Sequence, residues 1–136
     1  MSSKFGFILV KPQLGENIGA CARAMKNFGF SKLHIVEPKI NFPNHKAKAT
    51  SVGAFDIINK AKVFNNIKDA ILHLNSLEIN IISLSEKGEK TIYDYNFKET
   101  NAIIMGSEEK GISKSVLSLS NDCLLYTSPS PRDSMT

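Results

Sequence analysis

Residues 10–25 hold the first group of residues whose types and spacing could do chemistry. After a predicted buried strand, a loop with Gly15 and Asn17 leads into a predicted helix that carries Gly19 and Arg23. Glycines at a helix N-terminus let the backbone approach a ligand, and the free N–H groups there favour an anion. The Gly-Lys-Ser/Thr ending of a phosphate-binding loop and a GxGxxG pattern are both absent. Arg23, alone among alanines, either faces a ligand or extends into solvent.

Residues 102–113 form the second such segment. A predicted buried strand delivers Gly106 into a charged turn that contains Glu108 and Glu109, and a helix capped by Ser113 follows. Because the two carboxylates are neighbours, we expect at most one of them to face the end of the sheet. The alternative is a solvated turn whose negative charge favours the next helix through its dipole.

Short apolar runs and helical patterns predict the elements that position these segments. Strands are predicted at residues 5–10, 33–36, 62–64, 79–84, 102–105 and 122–126. Helices are predicted at 18–28 with Asn17 as N-cap and Gly29 after the end, at 44–52, from Asn66 through Leu74, and at 113–119. Strands separated by helices predict an α/β fold, a parallel sheet with helices on both faces. Ligands of such sheets bind beyond the carboxyl ends of the strands, which places chemistry in loops 11–17, 83–88 and 106–112.

Length and composition bound the class of protein. The 136 residues, 42% apolar and 22% charged, fit one globular domain, and the net charge of +4 permits an anionic partner without identifying one. No apolar run is long enough for a signal peptide or a membrane span, so we expect a cytoplasmic protein. Cys21 and Cys123 are expected to be reduced core residues. The spacing of His34, His45 and His73 suggests no metal site.

Together, the two segments resemble the SpoU/TrmH family of SPOUT-class RNA 2′-O-ribose methyltransferases, and most closely its TrmJ-like branch. The family's first motif has the form Pro-x-x-x-Gly-Asn-Ile-Gly-Ala-x-x-Arg-Ala-Met-Lys-x-x-Gly. It is matched, with Glu16 where glycine is usual, by Pro12, Asn17, Ile18, Gly19, Ala20, Arg23, Ala24, Met25, Lys26 and Gly29. The second motif, Phe-Gly-x-Glu-x-x-Gly-Leu, is matched by Met105, Gly106, Glu108, Gly111 and Ile112. Residues 49–58 resemble a further family stretch, and the resemblance covers residues 4–125.

This resemblance implies an α/β knot fold with S-adenosyl-L-methionine as cofactor. The implied reaction is methylation of a ribose 2′-hydroxyl of RNA, with tRNA as the expected substrate. The expected assembly is a homodimer. By position, the residues that match the catalytic residues of the family are Asn17, Arg23 and Glu108. Those that match places where backbone lines the cofactor pocket are Leu84, Ser85, Glu86 and Gly106.

The resemblance also implies roles for the three catalytic candidates. Because a guanidinium has a pKa above about 12, Arg23 is expected to stabilise the developing alkoxide and to contact a phosphate rather than to act as a base. Asn17 would orient Arg23 or the helix start, or would simply cap the helix. Glu108 would hold Arg23 or a loop N–H, or would be an ordinary surface charge.

The chain departs from the family at its C-terminal end. The third motif, a Ser-Leu-Asn run that opens a final helix, has no match after the last predicted strand. We therefore expect a C-terminally truncated member with a methyltransferase domain at residues 1–126, an incomplete knot and weak or no cofactor affinity. The homodimer of the family is in doubt without the final helix. Residues 127–136, rich in serine and proline, are interpreted either as a disordered C-terminus or as a non-native extension.

Two other classes of function stay open. The first is an α/β domain that binds RNA or a nucleotide without catalysis, which the absent third motif favours. The second is a Rossmann-like dinucleotide enzyme, which requires an acidic residue after the second strand and a glycine-rich turn after the first. Glu37 is suitably placed, but no GxGxxG pattern is present, so this class ranks low.

Overall fold

Strands and helices alternate along the computed structural model, which describes residues 4–41, 44–85, 88, 90–106 and 113–125. In chain order the elements are β1 (Phe5–Val10), α1 (Gly15–Asn27), β2 (Lys32–Val36), α2 (His45–Ser51), α3 (Phe55–Lys60), β3 (Lys62–Phe64), α4 (Ile67–Ser76), β4 (Asn80–Ser85), β5 (Lys90–Thr91), β6 (Asn101–Met105), α5 (Lys114–Leu119) and β7 (Asp122–Leu125). No helix in these described ranges is long and apolar enough to cross a membrane.

The strands form one sheet in the order β3-β2-β1-β6-β4-β7-β5. Every pairing is parallel. The carboxyl ends of all the strands therefore lie at one edge of the sheet, which we call the carboxyl edge, and their starts lie at the opposite, amino edge. This arrangement confirms the predicted α/β fold with a parallel sheet.

Helices cover both faces of the sheet, as predicted, and β1 contributes to the core on each side. Ile8 and Val10 pack with Ile71 and Leu74 of α4 on one face. Leu9 points to the other face and belongs to a cluster that α1, α2 and α3 complete with Ile18, Ala22, Met25, Ala47, Ile57 and Ile58. Burial of consecutive residues on alternate faces explains why β1 is a continuous apolar run.

Side-chain caps begin three of the helices. Asn44, Asn66 and Ser113 each accept hydrogen bonds from backbone N–H groups in the first turn of α2, α4 and α5. The prediction that Asn17 caps α1 is wrong, because α1 begins at Gly15 and no side chain caps it. Its first turn packs against α2 instead, so a tertiary contact sets where this helix starts.

Several further expectations are corrected by the structure. Helix α3 and the two-residue strand β5 were not predicted, since neither carries a periodic apolar pattern of useful length. Cys21 and Cys123 are free, as expected, but they are half-buried rather than in the core. Gly29 follows α1 with a φ of 82°, which confirms its predicted place after the helix end.

Candidate functional site

The carboxyl edge brings together three of the residues that the sequence assigned to cofactor binding. Strands β4 and β6 pair in parallel register, so Leu84 and Ser85 lie beside Met105 and Gly106. Strand β1 is the other neighbour of β6, with Leu9 opposite Met105. The loops that follow β1, β4 and β6 therefore leave the sheet side by side.

An apolar surface lies at this edge. Met105 is 41% exposed although it is apolar, and Leu84 beside it is half-buried. By the alternation of strands, both side chains project toward the face that α1 covers elsewhere. Gly106 follows Met105 and adds no side chain to this surface.

Arg23 and Asn17 both lie exposed on α1. Arg23 is eight residues after Gly15 and thus about 12 Å along the helix axis from its start. The two side chains are six residues apart, so they project about 120° from one another around the helix. Within the described ranges, neither side chain has a hydrogen bond or an ion pair. The geometry does not join Asn17 to Arg23, and their catalytic roles stay predictions.

Two predicted site residues, Glu86 and Glu108, lie outside the described residues. The expected convergence of Arg23 and Glu108 at the carboxyl edge therefore also stays a prediction.

The glycines of the first motif have a different role from the one that the sequence suggested. Gly15 and Gly19 are buried in α1, and a Cβ atom on Gly15 would overlap the Asn44 side chain. A Cβ atom on Gly19 would overlap the Thr50 hydroxyl and come within 2.9 Å of the Ser51 backbone nitrogen. The prediction that these glycines let the backbone approach a ligand is wrong. They let α1 pack against α2, because the two helices lie too close together for a side chain at either position.

Sequence reasoning missed a polar pair beside β7. The Tyr95 hydroxyl donates to Asp122 Oδ2 at 2.6 Å and accepts from Asn80 Nδ2 at 2.8 Å. Burial and the hydrogen bond to Asp122 raise the pKa of the Tyr95 phenol. Together with Gly88 and Cys123, this pair lines a cavity of about 320 Å³. Tyr93, Tyr95 and Phe97 alternate with polar residues, a signal that the sequence analysis did not use to assign an element or a site.

Comparison with known proteins gives a family match over nearly the whole chain. The sequence model of the SpoU rRNA Methylase family matches residues 4–129. This range contains both motifs and every described strand.

Individual relatives agree with this match. The chain is 39% identical over 71 residues to tRNA (cytidine/uridine/adenosine-2′-O-)-methyltransferase TrmJ of Pseudomonas aeruginosa, covering 52% of this chain and 27% of that protein. It is 29% identical over 130 residues to the uncharacterized tRNA/rRNA methyltransferase LasT of Escherichia coli, covering 84% of this chain and 54% of that protein. The crystal structure of TrmJ from Z. mobilis ZM4 superposes with a TM-score of 0.75 at 27% identity, covering 93% of this chain and 59% of that one. The chain thus spans between about a quarter and a half of the curated relatives described.

Proposed function

The chain belongs to the SpoU rRNA Methylase family, and from this premise we propose that it transfers a methyl group from S-adenosyl-L-methionine to a ribose 2′-hydroxyl of RNA. The observation that carries the proposal is the placement of the two motifs. The first begins at the carboxyl end of β1 and the second at the carboxyl end of β6, and these strands are neighbours in the sheet. Motifs about 85 residues apart in the sequence therefore start side by side where ligands of such sheets bind.

We propose tRNA as the RNA substrate. The TrmJ relative is named as a tRNA 2′-O-methyltransferase, and its similarity to this chain covers 71 residues. The LasT relative, named as a tRNA/rRNA methyltransferase, aligns over 84% of this chain. The net charge of +4 is compatible with a polyanionic substrate.

The residues proposed to hold the cofactor are Leu84, Ser85, Glu86 and Gly106. When bound, S-adenosyl-L-methionine supplies an electrophilic methyl group. Leu84 and the exposed side chain of Met105 would shield that group from water, which protects it from side reactions. The absence of a side chain at Gly106 would let the backbone after β6 approach the ligand closely.

Arg23 is the proposed catalytic residue. A guanidinium has hydrogen-bond donors but no acceptor, so Arg23 is not proposed to remove the proton from the 2′-hydroxyl. It can instead stabilise the alkoxide that develops as the proton leaves, and its planar fork can bind an adjacent RNA phosphate through two hydrogen bonds. Within the described ranges the five donors of Arg23 are unused, which leaves them available for RNA. Asn17 and Glu108 are proposed to position Arg23 or the RNA.

We also propose a homodimer that forms through the solvent-facing side of α1. This side carries Ala20, Ala24 and, just past the helix end, Phe28, which is 76% exposed. Small residues allow a second helix to approach closely, and an exposed phenylalanine gains free energy when it is covered. A second copy of the chain presents the same surface, so a two-fold contact is self-complementary.

A methyl-transfer assay tests the proposed function. The 136-residue chain is incubated with bulk tRNA and S-adenosyl-L-methionine carrying a tritiated methyl group, and the RNA is digested to nucleosides. We expect label in 2′-O-methylnucleosides. In the undigested RNA, the same 2′-O-methyl group should protect the adjoining phosphodiester from alkaline cleavage. Label in base-methylated nucleosides, or RNA binding without any transfer of label, would overturn the proposal.

A further inference from the structure

A cavity of about 370 Å³ lies at the amino edge of the sheet, opposite the edge where methyl transfer is proposed. The first residues of several strands form part of its wall, among them Gly6, Lys32, Lys62 and Asn101. The Asn101 side chain is fully buried, and it donates to the backbone carbonyl of Lys98 at 2.8 Å. This part of the wall is therefore held in place by the fold and does not depend on a ligand.

The wall of this cavity carries uncompensated positive charge. Lys32, Lys60 and Lys62 line it, and within the described ranges none of the three forms an ion pair. The acidic residue on the same wall, Asp56, is paired with Lys26 at 3.1 Å. That hydrogen bond to Lys26 holds the pKa of the Asp56 carboxyl below its usual value. Because Asp56 is already neutralised by its partner, the three lysines favour an anion in the cavity.

Two histidines line the cavity on the α4 side of the sheet. His34 is only 9% exposed, and its Nδ1 atom is buried without a hydrogen-bond partner. The Nε2 atom of His73 lies 3.3 Å from Lys62 Nζ. The centroid of the Phe64 ring lies 6.2 Å from that of His34 and 5.7 Å from that of His73. Both imidazoles therefore add flat, partly polar surface to this side of the cavity.

The remaining wall is largely apolar. It includes Leu33, Ile57, Ile79 and Ala102, with Leu77 at 57% exposure among them. The cavity volume of about 370 Å³ lies at the lower end of the range for small-molecule sites, roughly 300–1,000 Å³. A flat organic group fits against such a wall, whereas an inorganic ion alone would leave most of the cavity unfilled.

We propose that this cavity binds a phosphomonoester the size of a nucleoside monophosphate. Its phosphate lies toward Lys32, Lys60 and Lys62, and its ring packs on the apolar wall beside His34 and His73. Because the cavity is at the opposite edge from the proposed methyl-transfer site, this is a second and separate binding site. The ligand is either a free mononucleotide or the 5′-phosphorylated end of an RNA chain.

Calorimetric titration of the full chain tests the proposal without any methyl donor. The probes are adenosine 5′-monophosphate, adenosine, inorganic phosphate, and a tetraadenylate with and without a 5′-phosphate. We expect saturable binding of the monophosphate, at least about tenfold tighter than either adenosine or phosphate, because ring and charge both contribute. A tetraadenylate that competes only when 5′-phosphorylated identifies an RNA end as the ligand, and failure of both tetraadenylates to compete identifies a free nucleotide.

Exposed lysines provide variants that keep the fold. The double variant Lys32→Gln, Lys62→Gln removes two of the three cations and should weaken monophosphate binding by about tenfold. Lys62→Gln alone should weaken binding by about threefold. The matched control Lys68→Gln, which also removes one charge but at an exposed position on α4 away from the cavity, should change binding less than about twofold. The imidazole NMR signals of His34 and His73 should shift on titration. Equal weakening by Lys68→Gln, unshifted histidine signals, or no saturable binding would overturn the proposal.

Discussion

Gly19 of α1 lies so close to Thr50 of α2 that a methyl group on the glycine would overlap the threonine hydroxyl. That hydroxyl donates to the backbone carbonyl of Lys46 at 2.8 Å and lies 3.3 Å from the carbonyl of Glu16. The first motif and residues 49–58 both resemble the family, and they meet where Gly19 of α1 contacts Thr50 of α2. Because α1 carries Asn17 and Arg23, this contact fixes the orientation of the helix that presents them.

Replacing Gly19 by alanine should destabilise the protein. The added Cβ forces α1 and α2 apart, which typically costs about 1–3 kcal/mol in the free energy of unfolding. Alanine is intrinsically favoured over glycine in a helix by about 1 kcal/mol, so an increase in stability would contradict the packing argument. Urea unfolding measures the change. The control Ala49→Gly, at an exposed position on α2, should lose no more than about 1 kcal/mol from propensity alone.

The free energy of unfolding should decrease as the pH is lowered, because of His34. Burial, with smaller effects from the charges of His73, Lys62 and Lys32, lowers the pKa of His34 from 6.5 to about 4. The folded state therefore resists protonation: its stability is full above about pH 6.5 and declines as the pH falls toward 4, by about 3 kcal/mol in total. Urea unfolding at pH 7 and pH 4.5 measures this decline.

Two histidine variants isolate this effect from the titration of carboxylates. His34→Leu should flatten the decline between pH 6.5 and 4.5, whereas His45→Gln, at an exposed position, should retain it. An unchanged pH dependence in His34→Leu would show that this imidazole is not responsible.

Phe28 should determine whether the chain dimerises. Replacing it by aspartate places a charge at the end of the solvent-facing side of α1, which would have to be desolvated in a contact between copies. Sedimentation velocity should show a dimer for the original chain and a monomer for Phe28→Asp. Leu72→Asp is the matched control, since Leu72 is 68% exposed on α4, and it should leave the dimer intact. A monomeric original chain, or equal effects of both variants, would refute the proposed dimer.

Arg23→Ala should abolish methyl transfer while S-adenosyl-L-methionine binding stays unchanged. Arg23→Lys should also lose most of the activity, because an ammonium cannot form the planar two-bond contact with a phosphate. A tritium-transfer assay beside calorimetric titration of the cofactor separates the two effects. Loss of cofactor binding in Arg23→Ala would assign the residue to the cofactor pocket instead, and near-normal turnover in Arg23→Lys would refute the bidentate role.

The buried central strands were predictable from the sequence because burial on both faces leaves a simple signal. The run from Phe5 to Val10 is apolar throughout, and the structure buries Ile8, Leu9 and Val10 on alternating sides. Helix α3 was not predictable in the same way, since its six residues are ordered mainly by packing of Ile57 and Ile58 into the core. Short segments of this kind depend on tertiary contacts that a local pattern does not contain.

The candidate sites also differ in how far the sequence could predict them. Motif residues at the ends of β4 and β6 could be placed at one edge because parallel strands require it. The meeting of His34 with His73 could not be predicted, because it depends on how α4 packs across β2 and β3. The strand order of the sheet, and with it the cavity at the amino edge, is likewise a property of tertiary packing.

The position of the cofactor tests the central claim most directly. Two methionines serve as probes: Met105 at the carboxyl edge, which is 41% exposed, and Met25 on the buried face of α1, which is 3% exposed. With ¹³C-labelled methionine methyl groups, titration with S-adenosylhomocysteine should shift the Met105 signal in a saturable way and leave the Met25 signal unchanged. Saturable binding that leaves the Met105 signal unmoved, or that shifts the Met25 signal equally, would contradict a methyl-transfer site at the carboxyl ends of β4 and β6.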